Sequence, residues 1–507
     1  MSLDLALSIA RSGLSHVNRQ LAQSAANVAN AATPGYTRKE VRGEALVAGT
    51  LSSGVRSAEA TRAVDAALVN RMNAARAATE AAGARATLLK SVEMAHGATG
   101  ESVADLTAAL GDAFTALRGN PSDTLLQSRT VGAARNLVER YAAVSSAIQE
   151  ARQGAQDAMV GDVKALNDAL RKISDLTAQI IPLRAQGRST AELEDGRDAA
   201  VAALSSMMQV KAVPGADGGV TLITAGGLNL PLHSEGGPFS LADATLGPET
   251  YHGSGGTLPG VMLGTTDVTA RLGGGTLAAH AALRDTELPL AQAELDVSAA
   301  TLAARFDAQG LALFTGDAGA VPDPSAAYAT GGWIGFAGTI RVNPAVTASP
   351  DRLRDGTHAV AAGAGGATAF TPNPASGPAA FTTLIDRVLN NTFGTQVSNG
   401  VPQPGFATTG LGPGGNLASS LRSNRSLGGY ASSLVSAQTA ARAEAEEAAE
   451  GSGDLLAALE SRFSAESGVD MDKELAAMIA LQTAYSANAR LVSTVQTMYD
   501  TLFQAVR

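Results

Sequence analysis

The sequence predicts a multidomain, mainly α-helical protein with inserted β-rich domains, in which both the N- and C-terminal parts of the chain form a coiled-coil-like helical rod. Apolar residues near both ends recur with alternating steps of three and four, which is typical of helices that pair along a narrow seam. The stretch 122–186 contains no proline until Pro182, whereas glycine- and proline-rich segments lie between the helical stretches. A chain of 507 residues is also too long for a single core.

The first stretch, residues 3–36, predicts one helix followed by a sharp exit. Its apolar positions follow a 3.5-residue period, so they line one narrow seam. Pro34 disfavours helix at the residue before it, and Gly35 tolerates a left-handed turn. Asn27 and Asn30 can hydrogen-bond carbonyl groups freed at the helix end, while Tyr36 can anchor the exit by packing its ring. The residues predicted to form this turn are Asn27, Asn30, Thr33, Pro34, Gly35 and Tyr36.

The last stretch repeats the same period, and Asp470 is a plausible N-cap for it. Asn488 occupies a seam position, where an amide sets helix register at a cost in stability. Two such helices would leave much apolar surface in water, so we expect both to be assembly surfaces; the alternative is that they are core helices of an ordinary bundle. The predicted assembly interface consists of Leu3, Leu7, Leu14, Val17, Leu21, Val28, Met478, Leu481, Tyr485, Asn488, Val492, Val495, Tyr499, Leu502 and Val506.

Both ends resemble a known family. Ala26-Asn27-Val28-Ala29-Asn30 followed by Thr33-Pro34-Gly35-Tyr36 resembles the N-terminal signature of flagellar rod, hook and hook-associated proteins. Leu481-Gln482-Thr483-Ala484-Tyr485-Ser486-Ala487-Asn488-Ala489-Arg490 resembles the closing helix of that family. The long helical region is most similar to the members that join hook to filament. The specific likeness covers the ends and the helical region to about Ser206, and it is weak in the middle of the chain.

The resemblance implies a structural component of the bacterial flagellum that forms the hook–filament junction by self-assembly through its terminal helices. The partners that it implies are a ring of like subunits, the flagellar hook protein, the adjacent hook-associated protein on the filament side and an export chaperone. It further implies an extracellular position in the flagellum, reached by type III export without a cleaved signal peptide. No enzymatic activity is implied.

The alternation of helical stretches with glycine- and proline-rich segments predicts the domain organisation. The terminal assembly domain combines 1–36 and 468–507, and 37–60 is an extended linker with at most short strands. The helical rod combines 61–209, 275–309 and 429–467. A β-rich insertion is expected at 210–274, and a second, glycine- and proline-rich insertion containing β-structure is expected at 310–428, with strand candidates at 333–334 and 339–342.

Composition excludes several classes of protein. The net charge of −10 argues against a nucleic-acid-binding surface, and the absence of cysteine rules out disulfides and thiolate metal sites. No uninterrupted apolar run is long enough to span a bilayer, so membrane insertion is not expected. The N-terminus has no basic segment before an apolar core, and Asp4 interrupts its apolar stretch, so a cleaved signal is not expected.

Candidate catalytic or metal sites are scarce, and we expect no cofactor and no metal. The six histidines are scattered and never at metal-ligand spacing. Glu192, Glu194, Asp195 and Asp198 predict a solvated helix face, with Arg197 as a neutraliser, rather than a cation site. The lone Trp333 predicts a core residue.

Two alternative functions stay open. The first is a hook or distal-rod protein of the same family, which would be mostly β-structured soon after Tyr36, whereas 61–208 has a helical pattern. The second is an enzyme carried in the insertions, which would require a pocket that gathers histidine, aspartate or glutamate side chains.

Overall fold

Thirteen α-helices are present among the residues that the computed structural model describes, which are 3–48, 51–232, 237–323, 325–363, 366–398 and 400–505. Val506 and His233 therefore lie outside the described residues. The helices are α1 (Leu3–Ala29), α2 (Ala66–Ala95), α3 (Val103–Gly119), α4 (Thr124–Ala185), α5 (Ala191–Met207), α6 (Gly275–Ala282), α7 (Leu288–Asp307), α8 (Phe336–Thr339), α9 (Pro344–Ala348), α10 (Arg352–Asp355), α11 (Thr383–Arg387), α12 (Leu427–Ser467) and α13 (Met471–Ala505).

The described strands are short, and all of them pair antiparallel in small sheets. They are β1 (Lys39–Glu40), β2 (Gly43–Ala48), β3 (Leu51–Ser57), β4 (Thr61–Arg62), β5 (Val210–Pro214), β6 (Val220–Thr224), β7 (Phe239–Ser240), β8 (Met262–Leu263), β9 (Thr266–Asp267), β10 (Phe314–Thr315), β11 (Arg341–Val342), β12 (Gln396–Ser398), β13 (Val401–Pro402), β14 (Thr409–Leu411) and β15 (Leu417–Ala418). The pairs are β1–β4, β2–β3, β5–β6, β10–β11, β12–β13 and β14–β15, and β7, β8 and β9 form a three-stranded sheet.

The mainly α-helical fold class with inserted β regions is confirmed. The longest predicted helix, 122–186, is α4, which runs from Thr124 to Ala185 and contains Pro182 in its last turns. The side chain of Asp123 caps its N-terminus by accepting hydrogen bonds from the amides of Leu125 and Leu126. A single helix of 62 residues gives the rod its length.

The helical rod is formed from both halves of the chain, as predicted. Helices α2 and α12 pack along each other with opposite directions. Arg76 near the start of α2 pairs with Glu460 near the end of α12, while His96 just after α2 contacts Gln438 in the first half of α12. The start of α2 and the end of α12 therefore lie at the same end of the rod.

Two apolar cores lie along α4. One joins the first half of α4 to α3, α7 and the second insertion, and it contains the aromatic cluster of Phe114, Phe306, Phe314 and Phe393. The other joins the second half of α4 to α5, α6 and the first insertion. Because both insertions share a core with α4, each is docked on the rod.

A buried carboxylate ties the second insertion to α7. Asp296 is fully buried, and it accepts hydrogen bonds from the hydroxyl of Tyr328, the amides of Gly335 and Ala337, and the side chain of Gln292. The four distances lie between 2.8 and 2.9 Å. Burial raises the pKa of Asp296 to about 7, although its hydrogen bonds oppose that shift.

The first insertion is tied to α4 by a buried guanidinium. Arg152 is 1% exposed and donates hydrogen bonds to the carbonyls of Gly247, Thr250 and Arg284. Burial lowers the pKa of Arg152 to about 10. Arg284 belongs to a π-helical turn, Leu283–Glu287, that interrupts the otherwise continuous helical run from α6 to α7.

Several local predictions differ from the structure. Trp333 is buried, as expected, but 333–334 is a turn rather than a strand, and only 341–342 of the candidate 339–342 is extended in a sheet. The second insertion consists mostly of loops between two- and three-residue strands. Its buried contacts come from side chains docked on the helices, so it does not need a large sheet of its own.

Candidate assembly interface

The first and last helices pack along each other in opposite directions. Three pairs of contacts mark the seam: Ser24 with Glu474, Gly13 with Asn488, and Asp4 with Tyr499. A Cβ atom added to Gly13 would lie 3.2 Å from Oδ1 of Asn488. The amide therefore faces α1 across the seam at a point where the two backbones approach closely.

The predicted seam residues differ in how far this single helix pair covers them. Val17 and Val495 are buried, and Tyr485 and Leu502 are exposed. Val506 lies outside the described residues. The half-buried members are Leu3, Leu7, Leu14, Leu21, Val28, Met478, Leu481, Asn488, Val492 and Tyr499.

Large apolar side chains on α13 remain in contact with water. Phe503 is 70% exposed, and Ile479 is 66% exposed. The other exposed large apolar residues of this helix are Met471, Leu475, Tyr485, Leu491, Met498 and Leu502. Leu491, Met498 and Leu502 project to one side of the seam at helical spacing. Pairing with α1 thus closes one stripe of α13 and leaves its flanks open.

The turn after α1 is closed by its own side chains. Gly35 has a φ of +79°, which favours glycine, and it follows Pro34. Asn30 donates from Nδ2 to the carbonyl of Ala26, 2.9 Å away, which satisfies one of the carbonyls freed at the helix end.

Asn27 acts differently from Asn30. It is 1% exposed, and its Nδ2 donates to the carbonyl of Lys39 while its Oδ1 accepts from the amide of Lys39. The side-chain amide thereby pairs with the main chain of Lys39 as a neighbouring strand would. The hydroxyl of Tyr36 also donates to Oδ1 of Asn27, 3.0 Å away, so the exit strand (residues 36–40) is fixed against α1.

The acidic residues of α5 correct the prediction of a solvated helix face. Asp195 is buried, and it accepts from Lys39 Nζ at 2.8 Å and from Arg62 Nη1 at 2.8 Å. Arg62 also pairs with Glu194 and Asp198. Only Glu192 remains largely exposed, while it still lies 3.0 Å from Lys39 Nζ.

Arg197 supplies part of the neutralising charge that we expected, because its positive charge acts to lower the pKa of Glu194 and of Asp198. Its Nη1 donates to the carbonyl of Gly218 at 2.6 Å, so it ties α5 to the first insertion. The direct ion pairs of the acidic cluster are made by Lys39 and Arg62. Burial would lower the pKa of Lys39, but hydrogen bonds to Asp195 and Glu192 more than offset it and raise the pKa.

A second buried carboxylate joins the exit strand to α13. Glu474 is 2% exposed, and it accepts from the hydroxyl of Ser24 and from Nε of Arg38, the latter at 2.6 Å. The amide of Arg38 donates to the carbonyl of Ser467 at the end of α12. Sequence reasoning missed these residues, since the partners are hundreds of positions apart.

The segment 37–60 has more structure than an extended linker. Strands β2 and β3 form a hairpin that packs on α1. The amide of Val55 donates to the hydroxyl of Ser12, and His16 Nδ1 lies 3.0 Å from the hydroxyl of Ser57. Gly54, at a φ of +137°, lets the hairpin approach so closely that a Cβ there would collide with Ser12.

No site for a metal ion emerges from the described part of the chain, since no three histidine, aspartate or glutamate side chains there gather as ligands. Among the helices of the same described residues, none is long and apolar enough to cross a membrane.

Comparisons with known proteins point to the flagellum. Residues 89–320 match the family model of the flagellar hook-associated protein FlgK helical domain. Residues 460–505 match the family model of the flagellar basal body rod FlgEFG protein C-terminal region, which covers the end of α12 and all of α13. A search among curated proteins gives no match.

Among solved structures, the flagellar hook junction protein FlgK from Burkholderia pseudomallei is similar to part of the chain. The sequence identity is 21% and the TM-score is 0.39. The similar region covers 50% of this chain and 45% of that protein, so this chain spans about half the length of that relative.

The two family models match separate regions that together make up more than half of the sequence, one in the rod and one in the last helix. The matched C-terminal region contains α13, the helix that pairs with α1, and the matched helical region contains all of α4. The two matches together support the identification of this chain as a FlgK-type flagellar hook-associated protein.

Proposed function

We propose that this protein is a structural subunit of the junction between flagellar hook and filament, where it assembles through the helix pair α1–α13. The observation that carries the proposal is the row of exposed apolar side chains on α13 beside a seam that α1 closes on one side only. Neighbouring subunits would cover these flanks. The match of the rod to the FlgK helical domain supports the junction over a position in the hook or distal rod.

Assembly would add to the stability of the terminal helix pair that the single chain already forms. Burying one more leucine, methionine or phenylalanine side chain contributes about 1.5–3 kcal/mol. Burial of the exposed apolar side chains of α13 against other subunits would thus stabilise the assembled state.

The partners in this proposal are other copies of the chain in a ring, the hook protein on one side and the next hook-associated protein on the filament side. Export through the flagellar type III route, with a chaperone and without signal cleavage, would bring the subunit to this extracellular position. Catalysis has no part in the proposal.

The test replaces two residues of the open flank, Leu491→Lys and Met498→Lys, in one variant. Both side chains are more than half exposed, so the monomer should keep its helical circular dichroism spectrum. In cells lacking the native protein, this variant should leave hooks without filaments in electron micrographs. The matched control Ser493→Lys adds a charge on the opposite face of the same helix, beside Arg490, Thr497 and Asp500, and should restore filaments.

Filaments of normal number and length on the double variant would overturn the proposed interface. Val495→Asp is a different probe, because Val495 is buried between α13 and α1. That substitution should leave the monomer soluble yet block its incorporation, and it should also weaken the α1–α13 pair itself.

A further inference from the structure

The joint between the terminal helix pair and the rod is built from buried charges. Two segments cross this joint, one between α1 and α2 and one between α12 and α13. The segment after α1 leaves as residues 36–40 and returns as β4, and β1 pairs with β4 through Lys39 and Arg62. Outgoing and returning strands therefore lie side by side over the start of α5.

Asp195 of α5 holds both strands. Its Oδ1 accepts from the hydroxyl of Thr37 at 2.7 Å and from Arg62 Nη1 at 2.8 Å. Its Oδ2 accepts from Lys39 Nζ at 2.8 Å and from the amide of Thr37 at 3.2 Å. The Lys39 side chain is 1% exposed, so this ion pair is largely shielded from solvent.

Arg38 points the other way. Side chains alternate along an extended strand, so Thr37 and Lys39 face the rod while Arg38 faces the terminal pair. Arg38 pairs there with the buried Glu474 of α13. The extended segment 37–39 thus joins α5 of the rod to α13 of the terminal pair through two buried carboxylates.

We infer that Thr37, Arg38 and Lys39, held by Asp195 and Glu474, form an orientation lock that fixes the direction in which the terminal helix pair leaves the rod in the free subunit. A buried charge that loses its partner is strongly destabilised, so both carboxylates are satisfied in one arrangement only. Apolar packing alone would tolerate a range of tilts. The terminal helix pair therefore already has a fixed orientation relative to the rod before the subunit binds its neighbours.

The test measures the tilt directly in the full-length monomer. The sequence has no cysteine, so Ser15→Cys and Ala178→Cys allow two spin labels to be placed on exposed positions of α1 and α4. Double electron–electron resonance should give a narrow distance distribution. Asp195→Asn should broaden it, because the amide cannot accept from Thr37, Lys39 and Arg62 together.

Two further variants keep the inference falsifiable. Lys39→Met removes one cation but leaves Asp195 paired with Arg62, so it should broaden the distribution less than Asp195→Asn does. Asp168→Asn removes an exposed ion pair of α4 and should leave the distribution unchanged. An unchanged distribution in both Asp195→Asn and Lys39→Met, with the rod still helical by circular dichroism, would overturn the orientation lock.

Discussion

Asn488 of the last helix faces Gly13 of the first across their seam, with the amide oxygen 3.2 Å from where a Gly13 Cβ would lie. The two residues are far apart in sequence, and the absence of a side chain at Gly13 leaves space for the amide of Asn488. A larger residue at position 13 would push the polar side chain away, and an apolar residue at 488 would remove the amide from the seam.

Gly13→Ala should weaken the pairing of α1 with α13, because the added methyl is tighter against Asn488 than an ordinary van der Waals contact. Hydrogen exchange of the amides of α1 and α13 measures the effect. The matched control is Gly161→Ala in α4, where the added methyl meets nothing within 4 Å.

The control should raise stability by about 0.5–1 kcal/mol through higher helix propensity. Gly13→Ala gains the same propensity, so slower exchange in α1 and α13 for that variant would show that the close approach to Asn488 does not matter. Combining Gly13→Ala with Asn488→Ala should restore pairing.

Asn27→Asp should destabilise the packing of the exit strand against α1 by about 1–3 kcal/mol. The carboxylate keeps an acceptor for the Lys39 amide but loses the Nδ2 donor, so the Lys39 carbonyl is left without its partner. Limited proteolysis should then cleave within residues 36–40 faster than in the parent protein. Asn18→Asp, at an exposed position of the same helix, should leave the cleavage rate unchanged; equal rates for both variants would contradict the pairing.

Asp296→Asn should destabilise the second insertion by about 1–3 kcal/mol. At pH 8, above the pKa of about 7, the carboxylate accepts four hydrogen bonds. Each carboxylate oxygen accepts from one side chain and one backbone amide. Whichever way an asparagine amide is turned, its NH₂ group therefore faces two donors, one of which is the backbone amide of Gly335 or Ala337. Urea unfolding at pH 8 measures the loss. Asp317→Asn removes only an exposed ion pair and should have little effect, and equal midpoints would contradict the prediction.

Mild acid should weaken the α2–α12 contact at His96. Burial lowers the pKa of His96 from 6.5, while Gln438 and Glu93 act to raise it and Arg140 to lower it. The unfolded chain therefore takes up the His96 proton first, so the contribution of His96 to stability falls as pH drops below about 6.5. Thermal unfolding midpoints measured between about pH 7.5 and about pH 5, on either side of the ordinary histidine pKa, give the slope of stability against pH.

The variant Gln438→Glu places a carboxylate beside His96, which should raise the histidine pKa and reduce the loss of stability in acid. His96→Phe should also reduce it, because the titrating group is gone. A slope that is the same in the parent and in His96→Phe would assign the acid sensitivity to other groups.

Periodicity was sufficient to predict the long helices, because each carries its own apolar pattern: α4 extends over nearly the whole predicted range, and α12 and α13 begin close to their predicted starts. The joint could not be predicted in the same way. Asp195 and its neighbours resemble any charged helix turn until Lys39 and Arg62, 156 and 133 residues away, are placed against them.

The exit turn lies between these cases. Its motif predicts the position of the bend, because Pro34 and Gly35 restrict the backbone locally. The role of Asn27 depends on Lys39, which is 12 residues later and outside the motif, so the pattern suggested a helix cap where the structure has a strand-like pair. Local chemistry is readable from the sequence, whereas a partner brought in by the fold is not.

The contact between Ser24 and Glu474 joins residues 450 positions apart. Contacts of such high sequence separation are slow to form, because most of the intervening chain must be in place before they contribute free energy. The part of the rod formed by α3 and α4, whose packing is local, can therefore fold ahead of the terminal pair. A subunit that leaves an export channel unfolded would therefore fold part of its rod first and pair its terminal helices last. The exposed apolar surface of the terminal pair would then form only after much of the subunit has folded.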